Sequence, residues 1–227
     1  MSSRIFAIRP EPGLSATVET ARTMGIAVEG FPLAEVHPLA WQPPSEDDFD
    51  ALLLGSANAV RHGGAALAQW RGRPAHVVGE ATGRAARAAG LTAVSVGQGH
   101  LQPVLDGLAH GGPLRLLRLT GEAHVAVTPP ENVSIDTRVV YHVVHLPIPP
   151  DLAARLAQGG IVLLHSGEAA RHFASECNRL GIAREAIALA ALAPRIGQAA
   201  GSGWQRVDSA AEPTDSALLA LVRDICH

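Results

Sequence analysis

The chain has 227 residues, a formal net charge of −3, 17% charged residues and 47% hydrophobic residues, with only 4% aromatic. This length accommodates one large or two small domains, and the low charge with ample apolar content excludes a disordered chain. All 18 basic residues are arginine, and with acidic residues in excess there is no basic surplus to displace counterions, so no nucleic-acid partner is expected.

The opening residues MSSRIFAIRP lack the apolar stretch of a signal peptide. No run reaches the roughly 18 apolar residues of a membrane span, the most apolar region being broken by Arg184, Glu185, Pro194 and Arg195. A soluble cytoplasmic protein is expected. Along the chain, short apolar runs at 5–8, 51–54, 75–78, 114–117, 161–164 and 186–190 alternate with Ala-rich helical stretches such as 65–69, 82–89 and 169–174. Strands alternating with helices predict an α/β fold with parallel sheets. Cys177 and Cys226 have no CxxC spacing, so free thiols are expected and neither a zinc knuckle nor a redox pair.

An internal repeat organises these elements. Ala51-Leu52-Leu53-Leu54-Gly55-Ser56-Ala57-Asn58-Ala59-Val60-Arg61-His62 aligns without gaps on Ile161-Val162-Leu163-Leu164-His165-Ser166-Gly167-Glu168-Ala169-Ala170-Arg171-His172. Further on, a helix ending at Gly90 and a strand through Val94 match a helix ending at Gly203 and a strand through Val207. The second copy runs out of chain, and the strand it lacks matches the amino terminus, where Arg4-Ile5-Phe6-Ala7-Ile8 resembles Arg115-Leu116-Leu117-Arg118-Leu119. One domain is then discontinuous, residues 1–31 plus 148–227, with residues 42–137 inserted as the other. Two crossings, 32–41 and 138–147, are expected to form antiparallel linker strands, with a cleft between the domains.

In parallel α/β sheets, ligands meet the carboxyl ends of strands, where helix-start amides are unpaired. The turns that follow the strands hold Arg9, Ser56 with Ala57, Thr82, Thr120, Ser166 with Gly167, and Arg195. Ser56 and Ser166 read equally as helix N-caps, each stabilising its helix by about 1 kcal/mol, or as groups that join the following amides in facing an anion. Gly97-Gln98-Gly99 lacks the third glycine of a dinucleotide fingerprint and reads as a loop. Neither serine sits in GxSxG, and the 11 histidines show no metal-ligand spacing. Glu46-Asp47-Asp48 reads as a solvated turn. Tyr141, the only tyrosine, lies on a linker strand, where it either packs or presents a phenol that donates to a departing oxygen.

Taken in order, Arg9-Pro10-Glu11-Pro12-Gly13, Gly55-Ser56-Ala57-Asn58-Ala59-Val60, Val78-Gly79-Glu80-Ala81-Thr82, Val139-Val140-Tyr141, Leu164-His165-Ser166 and Gly203-Trp204 followed by Pro213 and an Ala/Leu helix resemble the uroporphyrinogen-III synthase family over essentially the whole chain. The resemblance implies two flavodoxin-like domains joined by a two-stranded antiparallel ladder. It also implies a cofactor-free and metal-free hydro-lyase that cyclises hydroxymethylbilane to uroporphyrinogen III, losing water and inverting the terminal pyrrole through an azafulvene and a spirocyclic intermediate. Because this substrate also closes spontaneously without inversion, the task is mainly orientation.

Carried over to this chain, Tyr141 assists hydroxyl departure, and Ser56, Thr82 and Ser166 bind substrate carboxylates with neighbouring amides. Arg9 and Arg195 stand in two further turns as arginine contacts, Pro194-Arg195-Ile196 replacing the hydroxyl pair of some relatives. Residues 123–130, short and proline-rich, stand where the family often has a helix. The resemblance implies a monomer, hydroxymethylbilane as ligand, and admits the upstream deaminase as a partner. The alternative from another class is a non-catalytic two-domain clamp for tetrapyrroles or other polyanions, which fold alone does not separate from an enzyme. The lack of clustered aspartates at strand ends disfavours a receiver-like module.

Overall fold

A computed structural model of the chain describes residues 4–97 and 99–225. Its strands are β1 (Ile5–Ala7), β2 (Glu29–Gly30), β3 (Ala34–Pro38), β4 (Ala51–Leu54), β5 (Pro74–Val78), β6 (Thr92–Gly97), β7 (Leu114–Gly121), β8 (Val133–His145), β9 (Gly160–Leu164), β10 (Ile187–Ala191) and β11 (Arg206–Ser209). The α-helices are α1 (Gly13–Thr23), α2 (Ala57–His62), α3 (Glu80–Ala88), α4 (Leu101–Asp106), α5 (Pro150–Leu156), α6 (Gly167–Leu180), α7 (Pro194–Ala199) and α8 (Asp215–Ile225). Two compact units result, Met1–Glu35 with Val144–His227, and Val36–Val143.

The first unit carries a five-stranded sheet in the order β2-β1-β9-β10-β11, every pair parallel. Its central strands are apolar at successive positions because both faces are covered. On β9, Val162 and Leu164 enter one core with Phe173 and Trp204, while Ile161 and Leu163 enter the other with Leu218 and Val222. The second unit carries a six-stranded sheet in which β8-β7-β4-β5-β6 run parallel and β3 borders β8. Leu52 and Leu54 pack on Trp70, and Ala51 and Leu53 pack on Leu101 and Leu105.

The two sheets share one strand order. β1 lies between β9 and β2 as β7 lies between β4 and β8, and β4 and β9 are the strands that the sequence repeat aligns. The chain thus enters the same arrangement at two different points.

Local differences from expectation have physical causes. Residues 65–69 form a 3-10 segment, Ala65–Trp70, started by Gly64 at φ +67° and serving to bury Leu67 and Trp70. The acidic turn is a short 3-10 helix, Glu46–Asp48, whose Ser45 cap accepts from the Asp47 amide. The helix expected to reach Gly203 stops at Ala199, with Gly201 and Gly203 at positive φ beyond it. β8 begins at Val133, five residues before the expected linker strand, because its first part pairs with β7 from Leu114↔Val133 onward. Residues 123–130 form no helix. Cys177 is a buried free thiol, pushed up to about 12 by burial, whereas Cys226, like Gln98 of the Gly97–Gly99 loop, lies outside the described residues.

The segment leaving β8 is held by α6. Glu176, 8% exposed, accepts the Ile148 amide at 2.9 Å and two bonds from Arg179 at 2.7 Å, and His172 Nε2 donates to the Leu146 carbonyl at 2.7 Å. The Arg179 hydrogen bond outweighs burial and holds the Glu176 carboxyl at about 2. A carboxyl lowered in this way contributes stability above its ordinary value near 4.5, which is lost as pH falls from there towards 2. Glu176→Ala is expected to lose about 2 kcal/mol at pH 7 through the orphaned Ile148 amide, and to show a shallower acid loss than the parent in urea unfolding at pH 7 and pH 3.

Candidate active site

Parallel pairing brings the ends of several strands of each unit to one edge. In the second unit, Leu54 pairs with both Leu119 and Val77, so Ser56, Thr120 and the Gly79 turn follow at the same carboxyl edge. Ser56 is the N-cap of α2, its Oγ accepting the Asn58 amide at 3.2 Å, and Ala57 begins that helix, buried. Gly79, at φ +79°, opens α3 and accepts the Thr82 amide at 3.1 Å, so Thr82 lies inside the first turn and is 4% exposed. Thr120 lies on β7 itself, mostly buried.

Tyr141 reaches this edge through an irregularity. The β7–β8 register runs Thr120↔Val139 and then Gly121↔Tyr141, so Val140 bulges and the tyrosine moves alongside Gly121. The phenol ring lies over that glycine: a Cβ there would sit 2.5 Å from Tyr141 Cε2 and 3.0 Å from its hydroxyl oxygen. His62 on α2 packs beside the phenol, with ring centroids 6.0 Å apart. Burial, then Arg61, then His37 hold the His62 imidazole below its ordinary range, so it is neutral at pH 7. His37 stacks on His142 at 5.5 Å. The Tyr141 hydroxyl has no hydrogen-bond partner among the described residues.

In the first unit, Ala7↔Leu163 and Leu164↔Ala191 put Arg9, His165 and the turn before α7 at the carboxyl edge. Arg9 is engaged there: Nη1 donates to Thr17 Oγ1 at 3.2 Å and lies 3.3 Å from both Asp215 oxygens. Thr17 Oγ1 also bonds Asp215 Oδ2 at 3.1 Å, and His165 Nε2 donates to Oδ1 at 3.0 Å. With the proton on Nε2, His165 Nδ1 is buried and unpaired. Burial keeps the His165 imidazole below its ordinary range despite Asp215, and Asp215, raised by burial, is brought below its own by the His165 bond and the Arg9 charge.

Ser166 caps α6, its Oγ accepting the Ala169 amide at 3.1 Å, and Gly167 begins that helix. Arg195 is an exposed residue in the first turn of α7. Ser56, Ala57, Thr82, Thr120 and Tyr141 therefore gather on the second unit, and Arg9, Ser166, Gly167 and Arg195 on the first.

Sequence reasoning gave Asp215, Thr17, His165 and Gly121 no role in the site. Asp215 pairs with Arg9 across 206 positions of chain, a relation no window contains. The repeat did hold one signal: His62 and His172 are equivalent, and each packs on a ring from β8, His62 on Tyr141 and His172 on His145 at 4.5 Å.

A family model described as uroporphyrinogen-III synthase HemD matches residues 15–220. The chain belongs to the uroporphyrinogen-III synthase family. Members are hydro-lyases of haem biosynthesis. The fold is similar to that of the Helicobacter pylori uroporphyrinogen-III synthetase, at 15% identity and TM-score 0.63, covering 98% of this chain and 99% of that one. It is also similar to a mutant uroporphyrinogen III synthase of Thermus thermophilus, at 18% identity and TM-score 0.51, with 98% and 99% covered. Comparison with curated protein sequences gives no match. No helix among the described residues is long and apolar enough to cross a membrane.

Two substitutions probe the site's framework. Gly121→Ala is expected to displace the phenol ring at a cost of about 1–3 kcal/mol, seen as a shift in the single tyrosine resonance of ¹³C-tyrosine-labelled protein. Asp215→Ala removes the acceptor of His165 Nε2 and one ion-pair partner of Arg9, and about 3 kcal/mol should be lost in urea unfolding at pH 7.

Proposed function

We propose that the chain converts hydroxymethylbilane to uroporphyrinogen III in the cytoplasm, as a monomer and without cofactor or metal. The match to the family over residues 15–220 carries this reading, and no observation favours a non-catalytic clamp. In the first step the hydroxymethyl C–O bond breaks with electron push from the pyrrole nitrogen, and the oxygen leaves as water after taking a proton. Tyr141 donates to that oxygen; its partnerless hydroxyl over Gly121 supports the assignment. Attack by the substituted carbon of the terminal ring then gives the spiro intermediate, whose opening and reclosure invert the ring. Neutral His62 adds no cation beside the phenol.

Ser56, Ala57, Thr82 and Thr120 on one unit, and Arg9, Ser166, Gly167 and Arg195 on the other, bind the substrate's carboxylates in this proposal. The serines use the helix-start amides that they cap, and Arg9 acts from a position set by Asp215 and Thr17. Residues 1–31 with 148–227, and 42–137, form two flavodoxin-like domains, with 32–41 and 138–147 as antiparallel linkers. The order β2-β1-β9-β10-β11 supports this description, being 2-1-3-4-5 in that unit's own strand numbering. The upstream deaminase is the protein partner, as the source of an unstable substrate.

Purified protein supplied with fresh hydroxymethylbilane should yield mainly the type III isomer on separation of the oxidised products. Type I alone, at the spontaneous rate, would remove the reading. Tyr141→Phe should lower kcat about 10²-fold, the lower end of general-acid contributions; full turnover would withdraw the proton-donor role.

A further inference from the structure

Arg118 on β7 has no place in the site as described so far. It is 5% exposed, the most deeply buried charged residue of the described chain; Glu176, the other one below a tenth, is paired with Arg179. Arg118 has one hydrogen bond, from Nη2 to the Val125 carbonyl at 2.8 Å, and its Nε is buried with no acceptor. No carboxylate pairs with it among the described residues, and on the neighbouring strand Asp136 is taken by Arg138. Its register partners are Leu53 on β4 and Thr137 on β8. Burial draws its guanidinium below the ordinary arginine range, so the charge is opposed by its surroundings. An uncompensated buried charge is strongly unfavourable, and leucine or methionine would suit this strand better.

Its position suggests what compensates the charge. Residues two apart on a strand share a face, so Arg118 and Thr120 lie on one face of β7, Thr120 at the carboxyl edge. The Thr120 hydroxyl also has no partner among the described residues. A guanidinium offers its Nε and one Nη as a side-on fork matched to the two oxygens of a carboxylate. Only one prong is occupied here, by a backbone carbonyl of a residue that is itself 76% exposed. A carboxylate would displace that carbonyl and fill both prongs.

We infer that Arg118, with Thr120, is a substrate-binding pair that receives one acetate or propionate carboxylate of the linear tetrapyrrole. The inference rests on the synthase reading. Binding moves Val125 off the guanidinium, while Gln102 still holds the segment at both the amide and the carbonyl of Thr128.

The test uses the full chain with Arg118→Met and Arg118→Lys, titrated with uroporphyrin, a stable octacarboxylate, alongside steady-state kinetics and thermal unfolding without ligand. Arg118→Met should keep or raise the unliganded Tm. It should weaken uroporphyrin binding by about 10–100-fold and raise KM by a similar factor, as expected for a desolvated charge-assisted bond, with Arg118→Lys intermediate. Wild-type-like binding and KM in Arg118→Met would overturn the assignment. So would a Tm lowered by many degrees, which would make Arg118 a clamp for the 122–130 segment. Wild-type protein that forms no type III isomer would remove the synthase reading and this inference with it, whereas normal wild-type turnover with unchanged Arg118→Met kinetics removes this inference alone.

Discussion

Parallel pairing of the central strands governs the rest of the molecule. Because β1, β9 and β10 run the same way, as do β4, β5 and β7, their carboxyl ends emerge along one edge in each unit. Helices cover both faces, so the strands can be apolar at every position, and the polar residues that remain are pressed to that edge. The same geometry explains why Tyr141 needs a bulge: without the skipped Val140, its ring would not lie over Gly121.

Residues at this edge serve the fold and the site together. Ser56 and Ser166 cap their helices, and the same bonds fix the helix-start turns in which the proposed carboxylate contacts lie. Arg9 is kept in register by Asp215 and Thr17, and Asp215 is kept ionised by His165 and Arg9. Orientation of a bound reactant requires groups held in such fixed positions. Arg118 is the exception, a buried charge whose balance the protein itself leaves incomplete.

Much of the architecture was legible in the chain. The runs at 51–54 and 161–164 are strands because four consecutive apolar residues suit a sheet buried on both faces, and their alignment identified the repeat and the displaced first strand. The Ser56 and Ser166 turns followed from the same alignment. The short apolar stretch at 65–69 misled, since a positive-φ glycine and the demand to bury Trp70 favoured a 3-10 turn over an α-helix. The early start of β8 was hidden because Asn132, Ser134 and Asp136 dilute an apolar pattern that pairing with β7 nevertheless makes a strand.

The sequence alone determined the central strands, the permuted order in which they repeat, and which turns carry hydroxyls and arginines, because burial on two faces writes itself into neighbouring residues. Only the tertiary structure decided which partners those groups engage. Arg9 meets an aspartate 206 positions away, Tyr141 covers a glycine on another strand, and Arg118 lies buried with no carboxylate partner among the described residues. Each of these depends on chain closure over long separations, where partner choice is set by the packing of whole elements and leaves no mark on the local pattern.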